Sequence, residues 1–178
     1  MSEHSLAAVL VAPAFALGAL LLLAPVPAAD ADDREVQDHV AVLELGATVE
    51  REISEQTSHL GPAVGIEIEP IENLLEIELG ASTYRSRGAT NWEIELAFKK
   101  PFQLSGAVEL MPGLGPTWAH TTQPGAAQSI WGAEAVIDLF FWRSKRVGWY
   151  LEPGYGITFG DGSKKSAALT GGIFFTVP

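Results

Sequence analysis

Apolar and polar residues alternate in segment after segment of this chain, a period of two that suits an extended strand with two different faces. In Trp92-Glu-Ile-Glu-Leu-Ala-Phe-Lys99, the residues Trp92, Ile94, Leu96 and Phe98 share one face. A helical stripe through 92, 95, 96 and 99 would instead collect Trp, Glu, Leu and Lys. Eight strands are predicted on this pattern, near 39–50, 60–69, 73–84, 90–99, 102–118, 128–142, 146–159 and 165–177. The connections at 51–59, 85–89, 119–127 and 160–164 are read as longer or more polar, and those at 70–72, 100–101 and 143–145 as tight turns. Pro62, Pro112, Pro116 and Pro153 fall inside strands, where each removes a ladder donor. Bulges or irregular backbone are therefore expected around Pro112-Gly-Leu-Gly-Pro116, near a rim where water reaches unpaired groups.

The two faces differ in chemistry. One carries large aliphatics such as Leu43, Leu45, Val64, Ile66, Leu79, Ile94, Leu96, Ile137 and Ile173. The other carries Gly46, Gly65, Gly80, Ser82, Ser105, Gly132, Gly154 and Thr170, together with many carboxylates. Small residues suit the interior of eight strands, which is just wide enough for side chains to fill. The prediction is an all-β, eight-stranded antiparallel up-and-down barrel turned inside out, with its aliphatic face in lipid. Aromatics fall at two levels: Trp92, Trp118, Trp131 and Phe159 at the long-loop end, and Phe98, Phe102, Phe141 and Phe175 at the short-turn end. Girdles of this kind belong at the two interfaces of a membrane.

Residues 1–29 stand apart as a predicted secretory leader, with an apolar run from Ala7 to Ala24 and small residues suited to cleavage after Ala28 or Ala31. A spanning helix is the rival reading of this run, and Pro13, Gly18 and the small-residue exit favour the leader. Residues 30–38 are then a short N-terminal segment, and 39–178 the barrel. Removing residues 1–28 takes away Glu3 alone among charged groups, so 22 acids become 21 against 11 bases, for a net charge of −10. That excludes nucleic acid as an expected partner. The chain has no cysteine, so an exported domain must close without disulfides.

On these features the chain resembles the small eight-stranded outer-membrane β-barrels of Gram-negative bacteria, in an uncharacterised proteobacterial branch. The resemblance covers nearly all of 39–177 and rests on the Glu67-Ile-Glu-Pro-Ile-Glu72 region, the Phe98-Lys-Lys-Pro-Phe102 turn, Gly113-Leu-Gly-Pro-Thr-Trp118 and Trp149-Tyr-Leu-Glu-Pro-Gly154. It implies residence in the cell outer membrane, contact with outer-membrane lipid and lipopolysaccharide, delivery by the barrel insertion machinery, and a monomer. Members of that superfamily usually end in an aromatic residue read by this machinery, whereas this chain ends Ile173-Phe-Phe-Thr-Val-Pro178, and Phe175 is the residue expected to serve here.

The inward face collects Glu44, Glu67, Glu69, Glu76, Glu78, Glu93, Glu95, Glu109, Glu134, Asp138 and Glu152. Lys99 and Arg146 have inward parity, and Lys100 or Arg143 can fold in from the turns. Buried acids must pair with bases, take up protons, or meet water and cations. An interior network of Glu44, Glu95, Lys99, Glu109, Glu134, Asp138, Arg146 and Glu152 is the leading expectation, and Glu67, Glu76 and Glu78 are the candidates for a divalent metal. No cofactor is expected. Lipid A deacylases of this architecture pair a Ser with a His. Here His120, Thr121 and Thr122 border a predicted loop, the His-x-Ser arrangement is absent, and the nearest serine, Ser129, follows only after Gln123-Pro-Gly-Ala-Ala-Gln128. No catalytic residue is assigned and His120 is read as an exposed loop histidine. Three functions stay open: a non-enzymatic barrel with a structural or surface-interaction role, an outer-membrane enzyme that modifies lipid A or phospholipid, and a narrow cation-selective pore.

Overall fold

The computed structural model describes residues 41–86, 88–160 and 163–177. The predicted leader, the 30–38 segment and the predicted first residues of strand one lie outside the described residues. Nine strands follow one another: β1 (Ala41–Glu52), β2 (Thr57–Ile71), β3 (Leu75–Ser86), β4 (Ala89–Lys99), β5 (Phe102–Ser105), β6 (Val108–Gln123), β7 (Ala126–Trp142), β8 (Val147–Thr158) and β9 (Lys165–Val177). Every pairing is antiparallel, β1 pairs with β9, and β4 pairs with β6 to close the sheet on itself. Apart from the four-residue β5, these strands make an eight-stranded barrel. Closure leaves no free edge and pairs the backbone within the wall, as a membrane-spanning sheet requires.

The register fixes the stagger. From Ile77, one step reaches Ile68 on β2. The other way round passes Phe98, Leu114, Ala135, Tyr155, Ala167 and Arg51 and arrives on β2 at Ser58. The difference, 68 − 58, is a shear of ten residues. With eight strands that corresponds to a tilt of about 40° and a lumen that side chains can fill.

Alternation is realised as predicted, with the aliphatic face outside. Leu45, Val64, Ile66, Leu79, Ile94, Leu114, Ile137 and Ile173 are all exposed, while Glu44, Glu67, Glu78, Asp138 and Glu152 are buried. This inverts a water-soluble protein, and a contiguous apolar band of such extent fits hydrocarbon. Trp118 pairs with Trp131, whose carbonyl accepts from Phe159 N, and Trp92 pairs with His120 next to Trp118, so aromatics gather at one end. At the other end Phe141 stacks on Trp149 with ring centroids 3.8 Å apart, and Phe98, Phe102 and Phe175 are exposed.

Three expectations are corrected. Residues 100–101 are not the turn: the β4–β6 register of Lys99↔Gly113 continues as Phe102↔Leu110, and the chain reverses between Ser105 and Val108. Lys100 N donates to Pro112 O at 3.0 Å, so the ladder runs past Pro101 even though proline has no donor. Ser105 accordingly sits exposed at that turn and does not face the lumen. The prolines at 112 and 116 cause no bulge, since β6 and β7 stay in unbroken register from Val108↔Phe141 to Gln123↔Ala126. Pro112 keeps its place in the ladder through its carbonyl, which accepts from Lys100 N, and only the return N–H of that pair is missing. The register shifts lie instead at 68–71 and 103–105. Finally, the loops are shorter than predicted. β1 and β2 are separated by 53–56, and the predicted loop 119–127 is largely strand, with Gln123 paired to Ala126.

The outward facing generates a direct expectation. Leu79→Arg, at the middle of β3, should lower the stability of the barrel in lipid vesicles by about 2–4 kcal/mol. Ser144→Arg in an exposed turn should change it by less than about 0.5 kcal/mol. Urea unfolding in vesicles measures both, and equal losses would contradict the facing.

Candidate functional site

The lumen is built in three parts. At the β7–β8 turn end, Met111, Phe140, Tyr150 and Phe174 form a buried cluster with Trp142 and Val42 packed against it. Phe140 stacks on Phe174 at 4.5 Å, and Trp142 meets Phe174 edge-on at 4.6 Å. Gly148 makes this possible, because a Cβ there would lie 2.6 Å from Phe174 Cε1. The expectation of small residues and charges inside passes over these rings. Their signal is present in parity, since Phe140 and Trp142 continue the inward series of Asp138, and Tyr150 precedes Glu152 by two.

At the centre stands Lys99, with its side chain wholly buried. Its ammonium pairs with Glu78 and Asp138 in close contact, with Glu67 at 3.5 Å and with Glu152 at 3.4 Å. Four strands beside its own supply these partners: β2, β3, β7 and β8. Glu67 and Glu78 face each other across the β2–β3 ladder. Among the cation candidates of the sequence, the position between Glu67 and Glu78 is thus held by the Lys99 ammonium, and Glu76, although buried, is not one of its ion-pair partners.

Toward the opposite end lies a cavity of about 50 Å³ lined by Glu44, Glu78, Glu95, Glu134, Glu152 and, nearer the rim, Glu50 and Glu93. Glu44, Glu95 and Glu134 of the predicted network are therefore brought together there. Glu50 is an addition to that network, and its parity matches Glu44. Glu109, on β6 near the hairpin to β5, is half-buried and does not line the cavity. Glu69 is exposed at the register shift near the end of β2. Arg146 is not in the network: it is exposed in the 143–146 turn, where its amide donates to Ser144 Oγ and its carbonyl accepts from Thr176 N. Parity fails there because the strand has already ended at Trp142 and β8 begins only at Val147. Lys100 and Arg143 are exposed as well, which leaves Lys99 as the one inward ammonium or guanidinium among the described residues.

On the outside, the structure joins two residues that are well separated in sequence. The β6–β7 hairpin turns at 124–125, so His120 and Ser129 are cross-strand partners, and His120 Nδ1 lies 2.8 Å from Ser129 Oγ. Trp118 stacks on the imidazole with centroids 5.4 Å apart. Among the described residues no carboxylate holds the other ring nitrogen, so the pair has no orienting acid of the kind a triad uses.

No protein-family model matches the chain, and no curated protein matches it in sequence. Solved structures match its fold. Neisserial surface protein A superposes with a TM-score of 0.63 at 13% identity, over 77% of this chain and 97% of that one. A major outer membrane protein from Thermus thermophilus gives 0.57 at 11% identity, over 78% and 100%. The attachment invasion locus protein of Yersinia pestis gives 0.52 at 15% identity, over 78% and 100%. The chain has the fold of the small outer-membrane β-barrels.

Removing the central ammonium should be severe. Lys99→Met leaves four carboxylates around an apolar side chain, and breaking a buried pair this way costs about 3–5 kcal/mol. Urea unfolding in vesicles at neutral pH checks it. A variant as stable as the parent would show that the network is dispensable.

Proposed function

We propose that the protein is an integral barrel of the bacterial outer membrane, with a sealed lumen and a structural and surface-contact role carried by its outer wall and rim. The packing of the lumen supports this reading: Lys99 and its four acids are buried together inside the barrel, backed by the buried Phe140, Phe174 and Met111. Such a filled interior suits a wall element better than a conduit. The surface available for contact is the tip of the β6–β7 hairpin, where residues 122–129 are all exposed. One structural neighbour is named the attachment invasion locus protein. On this reading the lipid partners are outer-membrane lipid and lipopolysaccharide, the chain is exported through its leader, the insertion machinery places it, and it acts as a monomer. In planar bilayers the purified protein should produce no unitary conductance steps. Regular cation-selective openings would overturn the sealed barrel and favour the pore.

A second reading is favoured by one observation, the 2.8 Å contact between His120 Nδ1 and Ser129 Oγ at the aromatic end of the wall, where lipid ester groups would lie. In it His120 acts as base and Ser129 as nucleophile toward an acyl ester. The structural reading predicts no labelling of Ser129 by a fluorophosphonate and identical lipid A mass spectra from cells with and without the protein. Ser129-dependent labelling together with loss of an acyl chain would establish the enzyme.

A further inference from the structure

Acids outnumber bases inside this barrel far beyond what ion pairing can absorb. Among the described residues, Glu44, Glu50, Glu67, Glu76, Glu78, Glu93, Glu95, Glu109, Glu134, Asp138 and Glu152 occupy inward positions on the strands, against the single ammonium of Lys99. Four of these acids are ion-paired with Lys99, although Glu67 and Asp138 keep buried oxygens without a hydrogen-bond partner. Around the cavity on the rim side of Lys99 the surplus is concentrated, and three independent features mark that space as a receptacle.

The first is an orphaned group. Glu44 is 3% exposed, lines the cavity and has Oε1 without a hydrogen-bond partner. Leaving a buried charged oxygen unsatisfied is costly unless a ligand, a proton or water meets it. The second is convergence: Glu78, Glu95 and Glu152 each place a carboxylate oxygen within 4.8 Å of the others. Opposite oxygens on one calcium ion, each at about 2.3–2.6 Å, span a similar distance. The third is room made by glycine. A Cβ on Gly65 would lie 2.8 Å from Glu78 Oε1 and 3.2 Å from Glu44 Oε2, and one on Gly80 would lie 2.6 Å from Glu95 Oε1. The two glycines therefore let three carboxylates fold inward over the neighbouring strand. Lys99 contacts Glu78 through Oε2, which leaves Oε1 on the side of Glu44.

We propose that this cavity binds a divalent cation of the calcium or magnesium class, held by Glu78, Glu95 and Glu152 and completed by Glu44 and Glu134. The donor set is entirely oxygen, as hard cations prefer, and the lining holds no histidine or cysteine to favour a softer metal. A cavity of about 50 Å³ has space for an ion and some of its water, since one water needs about 10–15 Å³ of such space. The lining reaches Glu50 and Ser166, within two residues of the ends of β1 and β9, which gives the ion a short route from the rim. Lys99 and the cation then share Glu78 and Glu152, with Glu67 and Asp138 on the ammonium side and Glu44, Glu95 and Glu134 on the side of the ion. This inference concerns the interior and does not depend on the surface role proposed above.

The probes are Ca²⁺, and Tb³⁺ as its luminescent substitute, added to chelator-treated protein purified from membranes in detergent. Tyr150 lines the cavity and is placed to sensitise Tb³⁺ emission. Saturable emission that Ca²⁺ displaces is expected, together with a higher thermal midpoint in Ca²⁺ than in chelator. Glu95→Gln keeps the shape of the side chain and removes its charge, and should weaken Ca²⁺ at least about tenfold. Glu69→Gln, an exposed acid near the opposite end, should leave it unchanged. Should Glu95→Gln fail to fold, the chelator response of the parent protein decides the matter alone. A parent without saturable Tb³⁺ emission and indifferent to Ca²⁺ would overturn the site, as would binding that survives Glu95→Gln undiminished.

Discussion

The ion cluster on Lys99 depends on one constraint and then imposes several. A sheet closed with a shear of ten residues directs every second side chain of eight strands into an enclosed lumen, where buried charge has to be compensated by nearby groups. One ammonium does this for acids on four strands. Its partners reach it from β2, β3, β7 and β8, so the cluster ties opposite sides of the wall together as a disulfide might in another exported domain, and the chain has no cysteine with which to make one.

On either side of that cluster the lumen takes two different solutions. Toward the β7–β8 turn it is filled by stacked rings, which need no charge balance and only require glycine opposite Phe174. Toward the other rim it is lined by carboxylates and small residues, and a cavity is left. The asymmetry gives the barrel a sealed floor and an acidic cup, a division of labour that follows from where the aromatic and acidic residues fall along strands of identical facing.

Much of this is legible in the sequence because a period of two carries facing directly. The eight-residue window from Trp92 to Lys99 carries strand, facing and the inward position of Lys99 together. Other parts need register, which no local pattern contains. Lys100-Pro101 looks like a turn, but the cross-strand bond from Lys100 to Pro112 carries the ladder past it and moves the reversal to the Gly106 region. Arg146 has inward parity only if β8 begins early, and it does not. His120 and Ser129 are nine residues apart in the chain and adjacent in space because β6 and β7 extend to a two-residue reversal at 124–125. The aromatic floor escapes a sequence reading for a different reason: large rings are credited to the lipid face, which outweighs the parity that places Phe140 with Asp138.

The aliphatic face of the wall meets lipid while the carboxylate face is enclosed. The absence of cysteine makes a clean test possible, since a spin label attaches only where a cysteine is introduced. Single cysteines at Leu79, Ala81 and Ser82 on β3, labelled in protein reconstituted into vesicles, report collision rates with lipid-soluble oxygen and with a water-soluble nickel complex. High oxygen and low nickel accessibility are expected at 79 and 81, and low oxygen accessibility at 82. High nickel accessibility at 79 and 81 would contradict it, because the aliphatic face would then lie in water.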